Sequence, residues 1–280
     1  MSSALQLVSP PRLGTERRYL MCPPRYFAVR YAINPWMDPS RPANPARAMT
    51  QWRALVDTYR ALGHTVELIE PVPELPDMVF AANGATVIDG AVLGARFRNE
   101  QRAAEAEHYR RWFATHGAPQ VVMPTAVNEG AGDFRWTGSL LLAGTGFRTE
   151  PAAHREAQEV LGVPVISLQL VDPRYYHLDT CLLVLDDSPD TPLIAYYPPA
   201  FSPGSQRVLA RLFPDAVIAG PADAACLGLN GVSDGASVVL PVEAQSLGRT
   251  LAARGFDPVF VDISELRRAG GGPKCCTLAL

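Results

Sequence analysis

One phrase, written five times, constrains this 280-residue chain more than any other feature. In its first copy the apolar residues Met49, Trp52, Val56, Tyr59 and Leu62 recur at three- and four-residue spacing between Asn44 and Gly63. Asn44 supplies an N-cap, Pro45 fits the first turn and Gly63 ends the stretch, so the pattern predicts an amphipathic helix. A β-rich run over residues 65–69 follows, then a Pro-rich turn, then strand-like segments over 78–80 and 85–88 around an Asn83-Gly84 turn. The same order returns four more times. One helical stretch ends at Gly117 before 120–123, and another at Gly162 before 165–168. Two more, entered at Ser202-Pro203 and near Pro241, lead to 216–218 and 258–261. Residues 277–280 read as a closing strand, and the segments 19–21 and 26–29 complete the last unit.

An open array of only five α/β units would leave two uncovered end faces, so the repeat predicts a closed ring with its termini close together. The expected organisation is an N-terminal extension over 1–18 and a single catalytic domain over 19–280. Hydrophobic residues make up 48% of the chain and charged residues 19%, enough apolar surface for a real core. The formal net charge is −3 with both signs interspersed and no basic stripe, which argues against nucleic acid as a partner. No apolar stretch has the length of a signal-peptide core or a membrane span, so the reading is cytoplasmic, away from any membrane. Cys22, Cys181, Cys226, Cys275 and Cys276 lack the paired spacing of a disulfide framework or a zinc site. Reduced thiols, with no metal and no cofactor, are the expectation; a homo-oligomer is left open.

Polar residues recur just after the first strand of successive units: Asp77, then Glu129 and Asp133, then His177 and Asp179, and finally Cys275. A closed ring brings these loops together on its axis. A thiol, an imidazole and several carboxylates would then meet from distant parts of the chain, the set that nucleophilic catalysis on a cationic substrate requires.

The segments Ile33-Asn-Pro-Trp-Met37, Leu75-Pro-Asp-Met-Val-Phe80 with Ala82-Asn83, Glu129-Gly-Ala-Gly-Asp133, His177-Leu-Asp179 and Gly271-Gly-Pro-Lys-Cys-Cys276 give the chain a resemblance to the guanidino-group-modifying superfamily. This family comprises arginine deiminases, dimethylargininases, amidinotransferases and arginine dihydrolases, and the likeness spans essentially the whole chain. It implies the pentein fold, a five-bladed α/β propeller of pseudo-repeated ββαβ units around an axial active site. It also implies that Cys275, its thiol lowered by nearby positive charge, attacks the guanidinium carbon, whereas Cys276 alternates away into packing. The alternative for a free cysteine is a small buried core residue.

In the same resemblance His177 is the acid and base, against the alternative of a hydrogen-bonded core histidine. Glu129 orients it, with Asp133 the fallback because Ala131 interrupts the tighter Glu-Gly-Gly-Asp form. Asp77 and Asp179 accept paired hydrogen bonds from the guanidinium unless they are loop-capping residues. Arg102 and Arg148 hold the substrate α-carboxylate unless they are solvated surface cations.

Mammalian-type dimethylargininases carry an acidic pair where this chain has Ala82-Asn83 and lack an aspartate at the position of Asp179. A carboxylate facing a methylated nitrogen would stay unpaired, so unmethylated arginine is favoured. Asn34 and Asn83 are similar to the arginine dihydrolases, which yield ornithine, carbon dioxide and ammonia; both could equally be turn residues. The expected partner is therefore a small guanidino substrate, arginine or methylated arginine. A citrulline-forming deiminase or dimethylargininase, an amidinotransferase, and a non-catalytic arginine-binding protein remain the alternatives.

Overall fold

The repeated phrase folds as a hairpin whose second strand is joined through helix to a third, parallel strand. The computed structural model describes residues 12–118 and 120–280, so residues 1–11 of the expected extension lie outside the described part. Strand β1 (Arg18–Met21) runs through helix α1 (Pro45–Ala61) to the parallel β2 (Thr65–Leu68). The hairpin β3 (Ala85–Ile88) and β4 (Ala91–Gly94) continues through α2 (Glu100–Ala103) and α3 (Glu105–Thr115) to β5 (Val121–Val122). Next come β6 (Phe134–Trp136), β7 (Leu141–Thr145), α4 (Pro151–Leu161) and β8 (Val165–Gln169). The fourth copy is β9 (Leu182–Asp186), β10 (Leu193–Tyr196), α5 (Pro203–Leu212) and β11 (Val217–Ile218), followed by the short α6 (Pro221–Ala225). The fifth is β12 (Val232–Ser233), β13 (Ser237–Pro241), α7 (Gln245–Ala252) and β14 (Asp257–Val261), then α8 (Ser264–Arg267). The closing β15 (Leu278–Ala279) pairs antiparallel with β1, Ala279 opposite Tyr19, so the two ends of the chain share one sheet. Five three-stranded sheets of mixed α/β character result.

Local chemistry sets these elements. The Asn44 side chain accepts the Arg47 N–H at 3.0 Å, Pro45 opens α1, and Gly63 follows it at φ +88°. Trp52, Leu55, Val56 and Tyr59 form the buried face of α1, each contributing about 1.5–3 kcal/mol of transfer free energy. Hydrophobic clusters fill the seams between units: one joins Leu183, Leu185 and Ala195 to Val238, Leu240, Leu247 and Leu251. Another packs Ile88 and Leu93 against Phe134, Leu141 and Ala153.

Three expected strands differ. The 78–80 segment lies in 3₁₀ turns over Pro76–Val79 and Ala81–Gly84, because Met78 and Phe80 donate locally to the Leu75 and Asp77 carbonyls. Residues 26–29 pair with no strand; Pro23 and Pro24 introduce a turn, and Phe27 and Val29 fill the core instead. The closing strand shortens to two residues because Thr277 turns back onto Lys274 and Pro273. Pro241 ends β13 rather than starting a helix, and α7 begins at Gln245. Among the described residues, no helix is long and apolar enough to cross a membrane.

Candidate active site

The third strand of each sheet delivers the chain into a loop, and these five loops carry buried polar groups. Asp77 follows β2, Glu129 and Asp133 follow β5, His177 and Asp179 follow β8, Asn230 follows β11 and Cys275 follows β14. The local sequence explains why the loops can approach so closely. Gly130 adopts φ +56° with the Ala82, Asn83 and Ala85 carbonyls within 2.8 Å of where a Cβ would stand, and a Cβ on Gly132 would collide with the Asn83 amide. Ala131, between them, is half-buried and packs against the apolar cluster that includes Leu20, Ala85 and Leu278.

Glu129 is fully buried and its Oε2 lies 2.7 Å from both His177 Nε2 and Arg148 Nη1. Burial alone would raise this carboxyl, but the Arg148 guanidinium, the His177 hydrogen bond and Arg102 together hold it well below the usual carboxylate range. With the Nε2–H engaged, a neutral His177 presents Nδ1 as a lone pair, and that atom is buried without a hydrogen-bond partner. Asp133 instead accepts from the Thr149 hydroxyl at 2.7 Å and the Leu178 N–H at 3.0 Å. Glu129, not Asp133, is therefore the partner of His177.

The Cys275 thiol donates to Asp179 Oδ2 at 3.3 Å and accepts from the Asn230 amide at 3.1 Å. Burial pushes the thiol well above its ordinary value and the Asp179 charge pushes it further. The expected depression by a neighbouring cation is thus overturned, since its hydrogen-bonded neighbours are an amide and a carboxylate. Asn230, absent from the expected set, also accepts the Cys275 and Gly272 N–H groups at 3.0 and 2.9 Å and donates to the Asp179 carbonyl at 3.0 Å. The repeat itself was its signal: a loop after β11 ought to deliver a polar group as the other four do.

Asp77 accepts from the Tyr31 hydroxyl at 2.8 Å through Oδ2. Its Oδ1, like Oδ1 of Asp179, is buried with no partner. Both carboxylates thus keep an acceptor in reserve, which loop-capping aspartates would not. Burial raises the Asp77 carboxyl, and Arg102 opposes that effect.

Arg102 and Arg148 are 4% exposed each, so the surface-cation alternative fails. Arg102 forms a forked ion pair with Glu105 at 2.9 and 2.8 Å and donates to Asn83 Oδ1 at 2.8 Å. Arg148 also donates to the Ile33 carbonyl at 2.8 Å. Asn83 Nδ2 reaches the Glu129 carbonyl at 3.1 Å, a tertiary role beyond the turn. Asn34 does make a turn, its Oδ1 accepting the Trp36 N–H at 2.9 Å, while its Nδ2 ties the loop to the Ala269 carbonyl at 3.0 Å.

Asn34, Asp77, Asn83, Arg102, Arg148 and Cys275 line one void of about 10 Å³. Glu105 and Glu129 are paired with Arg102 and Arg148, whereas Asp77 and Asp179 each keep one unpartnered oxygen among the described residues. Two such acceptors suit a cationic ligand presenting planar N–H donors beside the Cys275 sulfur.

The chain is 52% identical over 279 residues to the N(G),N(G)-dimethylarginine dimethylaminohydrolase of Mycobacterium tuberculosis, a match covering 99% of this chain and 91% of that protein. It is 36% identical over 272 residues to the bifunctional arginine dihydrolase/ornithine cyclodeaminase ArgZ of Synechocystis sp., covering 95% of this chain and 38% of that longer protein. A solved structure of the N-terminal domain of an ArgZ variant, covalently bonded to a reaction intermediate, superposes with a TM-score of 0.89 at 34% identity, covering 94% of this chain and 97% of that one. No family model matches the chain. Near-complete coverage at this identity means that the chain belongs to the guanidino-group-modifying family that includes dimethylarginine dimethylaminohydrolase and arginine dihydrolase.

Proposed function

We propose that the protein hydrolyses the guanidinium group of L-arginine through a covalent intermediate on Cys275, and that ornithine, ammonia and carbon dioxide are the products. The observation that carries this reading is the pair of buried aspartates, Asp77 and Asp179, each with one unpartnered oxygen, beside a buried thiol. The five sheets then form a five-bladed propeller, one domain from residue 19 onward, with the five loops meeting at its axis.

The substrate supplies the positive charge that the thiol lacks. Once the guanidinium donates to Asp77 and Asp179, its charge lies against Cys275 and stabilises the thiolate. The void of about 10 Å³ is too small for arginine, so the wall formed by Ile33, Asn34 and Met37 must yield to admit it. As the thiolate forms and attacks the guanidinium carbon, the thiol proton passes to Nδ1 of His177; one C–N bond breaks, and His177, oriented by Glu129, delivers that proton to the leaving ammonia. Water activated by His177 adds to the thiouronium carbon. Expulsion of a second ammonia leaves a thiocarbamate, and a second water releases the thiolate and ornithine N-carbamate, which loses carbon dioxide. Arginine and two waters thus give ornithine, two ammonia and carbon dioxide. Arg102 and Arg148 hold the α-carboxylate, while Asn34 and Asn83 fix the walls around the reacting carbon.

A second reading is favoured by the 52% identity to a protein named for dimethylarginine. There the tetrahedral intermediate formed when water adds to the thiouronium carbon expels the thiolate instead of a second ammonia, giving citrulline. Two aspartate acceptors argue against methyl groups on the terminal nitrogens, since a methylated nitrogen would leave a buried carboxylate oxygen unpaired. Mass spectrometry of products from separate incubations with L-arginine and asymmetric dimethylarginine distinguishes the two. Ornithine from arginine supports the dihydrolase; citrulline with dimethylamine from the methylated substrate overturns it in favour of the second reading.

A further inference from the structure

A second cavity, of about 300 Å³, shares no lining residue with the Cys275 void. Arg17, Arg135 and Lys274 contribute three cationic side chains to it, with Tyr19 and Thr86 adding hydroxyl groups. Four of their polar atoms are buried without a hydrogen-bond partner among the described residues: Arg17 Nε, Tyr19 Oη, Thr86 Oγ1 and Arg135 Nε. Arg17 has a counter-charge, its Nη2 lying 2.6 Å from Asp187. Arg135 is 8% exposed and Lys274 7% exposed, and no ion pair engages either among the described residues. Lys274 Nζ donates to the Thr277 carbonyl at 2.9 Å, a neutral acceptor. Asp89, a second acidic side chain on the cavity wall, sits exposed in the turn between β3 and β4, and the Asp179 charge acts on both Arg135 and Lys274.

Arginine and lysine side chains can only donate, so the unpartnered guanidinium Nε groups and hydroxyls of this cavity suit an acceptor carrying negative charge. Arg135 and Lys274 feel the Asp179 charge but form no direct ion pair among the described residues, and buried cations are commonly stabilised by such pairing. At about 300 Å³ the cavity has room for an anion of a few heavy atoms together with water. Arg17, Asp89, Trp136 and Asp187 also border an open surface groove, which gives a route in. We infer that this cavity binds a small oxyanion, a carboxylate or a phosphate, through Arg135 and Lys274 with Thr86 and Tyr19 donating their hydroxyl hydrogens. The inference stands apart from the reaction assigned to Cys275.

Calorimetric titration of the full chain with inorganic phosphate and, separately, with succinate tests it at constant ionic strength set by chloride. One saturable site per chain is expected for at least one anion, and the tighter of the two identifies the source as phosphate or carboxylate. The isotherm should persist in Cys275→Ser protein pre-equilibrated with L-arginine, because the two cavities are separate. Arg135→Gln should weaken binding at least tenfold and Arg135→Lys should restore part of it. Thr86→Val, which removes one hydroxyl donor and keeps the side-chain shape, should weaken it several-fold and serves if Arg135→Gln does not fold. Absence of saturable binding for both anions, displacement by L-arginine, or isotherms unchanged in the folded cavity variants would overturn the assignment.

Discussion

Replacing Asn230 by alanine tests how the Cys275 loop is built. One buried amide makes four hydrogen bonds: it accepts from the Gly272 and Cys275 N–H groups and donates to the Asp179 carbonyl and the Cys275 sulfur. At about 0.5–1.5 kcal/mol each, with two buried N–H groups then left without an acceptor, Asn230→Ala costs about 4 kcal/mol of stability. For a chain of this size that corresponds to a fall in Tm of roughly 10 °C. The bond to sulfur strengthens when the thiol ionises, and a charge-assisted donor contributes about 1.5–3 kcal/mol, so kcat/KM should fall roughly 10- to 100-fold. Asn230→Asp separates the two effects. It keeps an acceptor oxygen for Gly272 and Cys275 and so recovers much of the stability, yet sets another acid beside Asp179 and the sulfur, and activity should drop further. Thermal unfolding and arginine turnover at 25 °C provide both readings. Activity of Asn230→Ala within threefold of the parent, in a folded protein, would refute the role given to this amide.

Three other outcomes follow from the same geometry. The acidic limb of kcat/KM, which reports the free enzyme, should lie above the ordinary cysteine range, while the limb of kcat lies lower because bound guanidinium stabilises the thiolate; coincident limbs would contradict substrate-assisted ionisation. Burial draws the Lys274 ammonium down to about 7 from the ordinary 10.5. Between those values the unfolded chain holds a proton that the folded chain has released, so stability climbs as pH rises through this window. Lys274→Met should flatten the climb and stabilise the protein most below pH 7, by at most on the order of 5 kcal/mol; urea unfolding at several pH values measures this, and an unchanged pH slope would contradict it. Glu129→Gln leaves the buried Arg148 without a counter-charge, costing about 3–5 kcal/mol of stability. It should also cut kcat roughly 10²- to 10⁴-fold, as loss of an imidazole-orienting acid does; steady-state kinetics with near-normal kcat would return His177 to a purely structural role.

Much of this architecture is legible in the chain because its punctuation is local. Asn44, Pro45 and Gly63 delimit α1, Gly162 ends α4 at φ +67°, and Ser202-Pro203 opens α5, so the units can be counted before any contact is known. The site follows from that count, since each loop after a third strand contributes at least one buried polar group. Where reading from sequence falls short, tertiary context decides. Apolar runs at 78–80 and 26–29 look like strands but fill the core from 3₁₀ turns and unpaired chain, and alternation alone does not separate these. Asn230 lacks any charge or reactive group, and its importance lies wholly in partners 42 to 51 residues away. The thiol environment was inverted for a related reason: Lys274 adjoins Cys275 in sequence, yet its ammonium reaches the Thr277 carbonyl while Asp179 meets the sulfur.

The most direct test of the account is rapid-quench peptide mass spectrometry during turnover of L-arginine labelled with ¹³C at the guanidinium carbon. The account predicts transient label on the peptide carrying Cys275, formed and lost at rates that support turnover, and absent in Cys275→Ser. Full turnover with no labelled Cys275 peptide at any time, or with the label on a different residue, would contradict covalent catalysis by this thiol.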